Sequence, residues 1–299
     1  MKTLIVITGA TASGKTSLAI DLAEHLGCDI ISADSRQIYK GIPIGTAAPT
    51  PAELARVCHH FVGTLPLDGY FSAARFEEEA LALLQKLWEK SDYAVVCGGS
   101  MMYVDALTDG IDELPTISPE TRQRVHRLHD EHGLEGLRAL LEISDPEYYA
   151  EVDINNVKRV MHALEICIES GQPYSQLRIG SRRERPFRII KVAIDRPREE
   201  LFDRINRRVD LMMQAGLEEE ARSVYHLRHL NSLNTVGYKE MFAMIDGTMD
   251  RDTAIARIAK NTRVYAKKQL TWLARPSVRP TIWLQPATAL TNCLHLLET

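Results

Sequence analysis

Short apolar runs alternate with longer stretches of helical period along most of the chain. The runs at residues 4–7, 29–34, 93–97 and 189–195 are too short for helices, and each is apolar at most of its central positions. Such runs predict strands buried on both faces of a parallel sheet. A last strand is expected at 281–284. Elsewhere apolar residues recur three and four apart. The pattern is clearest at 72–90, where Ala73, Phe76, Ala80, Leu83, Leu84 and Leu87 form one helical face. Further helices are predicted at 17–26, 51–57, 198–213, 216–230, from Gly237 onward, and at 252–273. Alternation of this kind predicts an α/β fold, a parallel sheet flanked by helices.

One region breaks the alternation. Leu114-Pro115-Thr116-Ile117-Ser118-Pro119 reads as a boundary. Helices then follow at 118–132, 134–141 and 155–170 with no strand among them; Val157, Val160, Met161, Leu164 and Ile168 give the last its apolar side. A basic, proline-interrupted stretch up to Pro186 closes the region. The expected organisation is a core domain of residues 1–115 and 188–299, carrying a helical insertion domain at 116–187.

The first strand runs into Gly9-Ala10-Thr11-Ala12-Ser13-Gly14-Lys15-Thr16, and a helix leads out. This is G-x-x-x-x-G-K-[ST] between strand and helix, the nucleotide-binding P-loop pattern. Its glycines let the backbone wrap close to an anion. Several N–H groups then converge at the mouth of a helix, where the dipole favours negative charge. Lys15 supplies a cation for the outer phosphates, and Thr16 Oγ1 is placed to ligate Mg²⁺. A di- or triphosphate ligand, ATP among them, is expected.

Two more strand ends face the same crevice, because ligands bind at the carboxyl ends of parallel strands. One ends in Asp34. The other ends in Cys97-Gly98-Gly99-Ser100, where a P-loop ATPase carries a magnesium-holding Asp. That difference weakens the ATPase reading and leaves Asp34 as the carboxylate of the crevice. Residues 35–51, rich in Gly, Pro and Thr, are expected to form an active-site loop. Cys58-His59-His60 reads as a turn or hydrogen-bonding element rather than a metal site. Adjacent histidines diverge on any regular element, and no ligand partner follows at the right spacing.

Composition, at 45% hydrophobic and 25% charged, is that of an ordinary globular protein. The net charge of −4 does not advertise nucleic acid, but the cations are unevenly placed. Arg182, Arg183, Arg185 and Arg188 form one cluster; Arg257, Lys260, Arg263, Lys267, Lys268 and Arg275 form another. A basic face on an acidic protein can hold a polyanion. The five cysteines form no CxxC, which fits a reducing cytoplasm without disulfides or a thiolate zinc site. No membrane span or signal peptide is expected.

Several motifs now coincide in order. After the P-loop come Asp34-Ser35-Arg36-Gln37-Ile38-Tyr39-Lys40-Gly41, Ile44-Gly45-Thr46-Ala47-Ala48-Pro49 and Gly98-Gly99-Ser100-Met101-Met102-Tyr103. Asn155-Asn156-Val157-Lys158-Arg159-Val160-Met161-His162-Ala163-Leu164-Glu165 lies in the insertion. Gly216-Leu217, Gly237-Tyr238-Lys239-Glu240 and Thr262-Arg263-Val264-Tyr265-Ala266-Lys267-Lys268-Gln269-Leu270-Thr271-Trp272 complete the set. From residue 4 to about 275 the chain resembles the tRNA dimethylallyltransferase (tRNA isopentenyltransferase) family of bacterial type. It departs from the usual family residues at Ala10, Ala48, Ser100 and His162, where Pro, Lys, Thr and Arg are typical.

The resemblance implies transfer of a dimethylallyl group from dimethylallyl diphosphate to N6 of adenine 37 in tRNA. It implies Asp34 as general base, with Lys15 and Ser100 also catalytic. The diphosphate would lie on residues 9–16, with Arg204 and Arg208 completing the clamp and Mg²⁺ on Thr16. The tRNA anticodon stem-loop would meet Asp34, Ser35, Arg36, Gln37, Ser100, Arg122, Lys158, Arg159, Val160, Met161 and His162. The basic helix from Arg263 to Lys268 would hold stem phosphates. A cytoplasmic monomer is expected. The alternatives are an adenylate isopentenyltransferase, a P-loop small-molecule kinase, or a catalytically silent nucleotide- or RNA-binding module.

Overall fold

The computed structural model describes residues 1–180, 182–276 and 280–298. They fall into two compact units, Met1–Thr108 with Arg185–Thr299, and Asp109–Glu184. The division comes earlier in the chain than the proline-rich boundary at 114–119, and it returns Arg185 to the first unit.

The first unit is built on a six-stranded parallel sheet. Its strands are β1 (Thr3–Thr8), β2 (Ile30–Ser32), β3 (His59–His60), β4 (Tyr93–Cys97), β5 (Arg188–Ile194) and β6 (Ile282–Leu284), in the order β3-β2-β4-β1-β5-β6. Side chains alternate across a strand, and both faces are covered. Leu4 and Val6 of β1 join a core with Phe76, Leu84, Val96 and Tyr103. Ile5 and Ile7 join another with Leu18, Leu22, Val95 and Cys293. This two-sided burial accounts for the continuous apolar runs at 4–7 and 94–97. β1 pairs with β4 on one side and β5 on the other. Since neither is its chain neighbour, the loop leaving β1 opens at a topological switch point.

The helices of this unit are α1 (Lys15–Leu26), α2 (Pro51–Arg56), α3 (Ala73–Leu87), α4 (Met101–Asp109), α9 (Arg198–Gln214), α10 (Leu217–Val224), α11 (Tyr238–Ile245), α12 (Arg251–Leu273) and α13 (Ala289–Glu298); α4 ends one residue past the unit's limit. Three features differ from the sequence pattern. The edge strand β3 is only two polar residues long, below the reach of any periodicity argument. The helix expected over 216–230 ends at Val224 and continues as 3-10 turns. The basic stretch before Pro186 is not uniformly a solvated face. Arg185 is buried, 2.6 Å from Glu77, and donates to the carbonyls of Ala106 and Leu107.

The second unit is helical: α5 (Pro119–Ser144), α6 (Pro146–Glu151), α7 (Val157–Ser170) and α8 (Tyr174–Leu177). Gly133, at φ 63°, interrupts α5 where the sequence pattern separates two helices. Val125, Leu137, Leu141, Tyr148, Val160, Ala163 and Leu164 form its core. Among the described residues no helix of either unit is long and apolar enough to cross a membrane.

Asp145 joins two elements of the helical unit. Fully buried, it caps α6 through Tyr148 N (3.0 Å) and accepts from Ser175 N and Oγ, both at 2.7 Å. Asp145→Ala removes a cap and strands buried donors, so a loss of about 2–3 kcal/mol is expected in urea unfolding of the full chain, most of it restored by Asn.

Candidate active site

The P-loop crosses from the carboxyl end of β1 into α1, whose N-cap is Gly14 at φ 102°. Ala12 is also left-handed, at φ 65°, an uncommon conformation for a residue with a Cβ. The turn is held from outside. Arg196 Nε donates to Ser13 O at 2.5 Å, and Arg204 Nε donates to Ala12 O at 2.7 Å. Arg208 donates to Thr11 Oγ1 at 3.1 Å. Gln269, buried on α12, accepts from Thr11 N at 2.8 Å and donates to Gly99 O at 3.0 Å. An added Cβ on Gly99 would lie 2.2 Å from Gln269 Nε2, so only glycine permits this approach.

Two cavities meet here. One, of about 340 Å³, is lined by Lys15, Thr16, Gln37, Glu53, Cys97 and Arg204 among others. The second, of about 280 Å³, carries Val209, Met212, Val236 and Ile258 beside Ser35, Ser100 and Tyr265. Thr11, Asp34, Thr46, Ala47, Arg208 and Met212 line both. Asp34 thus stands between a polar chamber at the phosphate loop and a more apolar one. Its Oδ1 accepts from Arg36 N (2.9 Å) and Gln37 N (3.3 Å), which fixes the carboxylate. No hydrogen bond from the described residues falls on Oδ2.

Cations dominate the polar chamber. Burial pushes the Lys15 ammonium down from its ordinary value, and Arg208 acts the same way, against Cys97 and Asp34. Burial also lowers Arg208, followed by repulsion from Arg204. Arg204 is lowered by burial and then by Arg196. Cys97, where an ATPase would carry its Asp, is a neutral thiol pushed up to about 11 by burial. The Tyr265 phenol, pushed up to about 12 by burial and then by Asp34, stays protonated and donates to Gly99 O at 3.3 Å.

The first unit therefore brings together residues 9–16, Asp34, Ser35, Gln37, Ser100, Arg204 and Arg208. Within the loop, Ala10 faces inward against Leu201, Ile205 and Ala266. Ser100 Oγ accepts from Ser35 N at 2.8 Å and donates to Ser35 Oγ at 3.1 Å. Arg36 lines the second cavity, yet its guanidinium is tied to the carbonyls of Asn231 (2.8 Å) and Ser232 (3.2 Å). Arg122, Lys158, Arg159, Val160, Met161 and His162 lie in the helical unit, on α5 and α7. One expectation among them needs correction: Val160 is fully buried in that unit's core, so its side chain cannot contact RNA. A continuous run on a helix cannot share one face; Lys158, Arg159 and His162 are exposed.

Arg196, Glu53, Gln269 and Tyr265 were not visible as site residues in the spacing. Arg196 had a signal: it follows a strand end, as Asp34 does. Glu220 also works at a distance in sequence, accepting from Ile44 N (2.9 Å) and Gly45 N (2.8 Å) and so holding the loop at 44–48.

Sheet, loop and paired cavities define a P-loop NTPase-like enzyme fold with a second, apolar compartment beside the phosphate loop. The profile of the IPP transferase family matches residues 37–276. A "tRNA dimethylallyltransferase 1" of Phocaeicola vulgatus is 55% identical over 284 residues, covering 95% of this chain and 94% of the relative. The crystal structure of a Bacillus halodurans tRNA isopentenylpyrophosphate transferase is 32% identical with a TM-score of 0.73, covering 100% of this chain and 96% of that one. A eukaryotic dimethylallyltransferase acting on tRNA, 22% identical, matches in fold with a TM-score of 0.81 over 99% of this chain and 80% of its own. The chain belongs to the IPP transferase family and is a prenyltransferase.

Among the described residues, Gln269 is the side chain bonded to both the P-loop and the Gly99 turn. Gln269→Leu strands Thr11 N–H and leaves Gly99 O with the longer Tyr265 bond alone, and a loss of about 1–2 kcal/mol is expected in urea unfolding.

Proposed function

We propose that this chain transfers the dimethylallyl group of dimethylallyl diphosphate to N6 of adenine 37 in tRNA. The observation that carries the reading is Asp34, a carboxylate oriented by two backbone amides at the junction of the two cavities. The diphosphate takes the polar chamber, on the P-loop amides, Lys15, Arg204 and Arg208. The prenyl carbons reach toward Val209, Met212 and Ile258 of the other chamber. The target adenine enters from that side, out of its stack, as chemistry on a base requires.

Adenine N6 attacks C1 of the allylic group while the C1–O bond breaks and its electron pair leaves with diphosphate. Asp34 Oδ2 takes the N6 proton. Lys15 and the arginines stabilise charge that grows on the leaving oxygen, which is usually a large contribution. Ser100 holds Ser35, next to Asp34, in place. Thr16 and Glu53 offer hard oxygen donors in one chamber, the donor type that suits Mg²⁺. A bound Mg²⁺ would supply further charge neutralisation at the diphosphate. Lys158, Arg159 and His162 in the helical unit, with Lys267 and Lys268 on α12, are exposed cations and polar groups suited to RNA phosphates.

A P-loop kinase usually needs an arginine-rich lid over its nucleotide, and two of the arginines near Pro186 that could supply one are engaged elsewhere, Arg183 with Glu113 at 2.7 Å and Arg185 with Glu77. Incubation with labelled dimethylallyl diphosphate, Mg²⁺ and either tRNA or AMP tests the rest. Label is expected on tRNA alone; label on AMP overturns the reading. Asp34→Asn keeps an oxygen for the Arg36 and Gln37 amides but cannot accept the proton. Its kcat is expected to fall by about 10²–10⁴ with KM for tRNA little changed; unchanged turnover would remove Asp34 as the base.

A further inference from the structure

Along the sequence Cys58 and His60 have no third ligand nearby, but the sheet supplies one. β2 and β3 are parallel with Ile30 opposite His59 and Ile31 opposite His60. Asp29 therefore lies beside Cys58, and Ile30 N donates to Cys58 O at 2.9 Å. Alternation along the strand turns Cys58 and His60 to the same face and His59 to the other. His60 Nε2 is 2.8 Å from Asp29 Oδ2 and 3.7 Å from Cys58 Sγ. One ligand atom from each of the three lies within 4.8 Å of the others. A tetrahedral ion with Zn–S of about 2.3 Å and Zn–N of about 2.0 Å holds sulfur and nitrogen roughly 3.5 Å apart. The observed pair is within a few tenths of an ångström of that spacing.

We infer that Asp29, Cys58 and His60 form a binding site for a divalent transition-metal ion, zinc by donor chemistry, with a fourth position open to water. Thiolate and imidazole select zinc over magnesium or calcium. The ligands sit on adjacent strands, so little ordering is needed on binding. Cys58 is exposed and the other two are half-buried, which leaves access for the ion and its water. None of the three lines either cavity, so the site is separate from the prenyl-transfer chemistry. β3 pairs with the sheet through only two registered residues. An ion bridging Asp29 to Cys58 and His60 would clip this edge strand to β2 and anchor the segment that carries Glu53.

Cobalt reports the ligands directly. Titrating the metal-free full chain with Co²⁺ is expected to give one tetrahedral ion per chain, with a thiolate-to-cobalt charge-transfer band that one equivalent of Zn²⁺ removes. Cys58→Ser should abolish that band. Asp29→Asn and His60→Ala should each weaken binding by at least about 100-fold, since even changes behind the ligands cost 10–100-fold. Zinc at a hundred times its Kd should raise Tm by several degrees in the wild type and leave the His60→Ala Tm unmoved. A band that persists in Cys58→Ser, or binding equally tight in all three variants, would overturn the assignment. So would the absence of any thiolate band in the wild type, which leaves Asp29 and His60 as a plain ion pair.

Discussion

The phosphate loop depends on having its carbonyl oxygens capped from behind. A loop that offers N–H groups to an anion must turn carbonyls the other way, and those dipoles need partners. Arg196 and Arg204 take the carbonyls of Ser13 and Ala12, while Gln269 takes the N–H of Thr11. These side chains come from the end of β5, from α9 and from α12, so three separated stretches of chain set the shape of eight residues. Arg204 in turn crowds Arg208, and Arg208 crowds Lys15. Burial and mutual repulsion work against these charges, and an anion bound among them, such as the diphosphate of the proposed reaction, would relieve both. The site therefore holds positive charge at some cost to the fold, in the one place where an anion repays it.

The strand ends divide the remaining labour. β4 ends in Cys97, a neutral thiol beside Lys15 and Thr16, and the carboxylate is displaced to Asp34 at the end of β2. That shift moves it away from the position expected of a metal-holding Asp in an ATPase. It comes to lie where the polar chamber opens into the apolar one. Close approach makes the arrangement possible: a Cβ on Gly98 would fall 2.1 Å from Ala33 O, and one on Gly99 would displace Gln269. The paired glycines serve packing between strand ends, in addition to any role as a turn.

The sheet was legible because its central strands are buried on both faces, and continuous apolar runs leave few other readings. The P-loop was legible because its glycines, lysine and threonine carry a local mechanism. What was not legible depended on pairing across the sheet or on long contacts. β3 is two histidines long and is defined by its neighbour. Asp29 meets His60 only through strand register. Gln269 reaches Thr11 across most of the chain's length. Val160 lay inside a quoted motif, yet its helical phase sends it into the core. Motif membership carries no information about which face a residue takes; periodicity does.

Charge runs are the other place where sequence and structure part. The arginines near Pro186 look like a single basic patch. Arg183 is held by Glu113, Arg185 is buried on Glu77, and Arg188 donates to Leu296 O at 2.9 Å. Arg263 is likewise engaged, with Asn206 at 2.6 Å. Guanidinium groups satisfy carbonyls and carboxylates inside a fold well, because their planar donors bond in several directions at once. Lysines do this less, and Lys158, Lys267 and Lys268 remain exposed. A chain of net charge −4 thus keeps only part of its basic residues for a polyanion. Phosphate contacts of that number position a nucleic acid without reading it. Discrimination in the proposed reaction must then fall to the chamber beside Asp34, where a base has to fit among Tyr265, Ser100 and the apolar wall before its amine can reach the carboxylate.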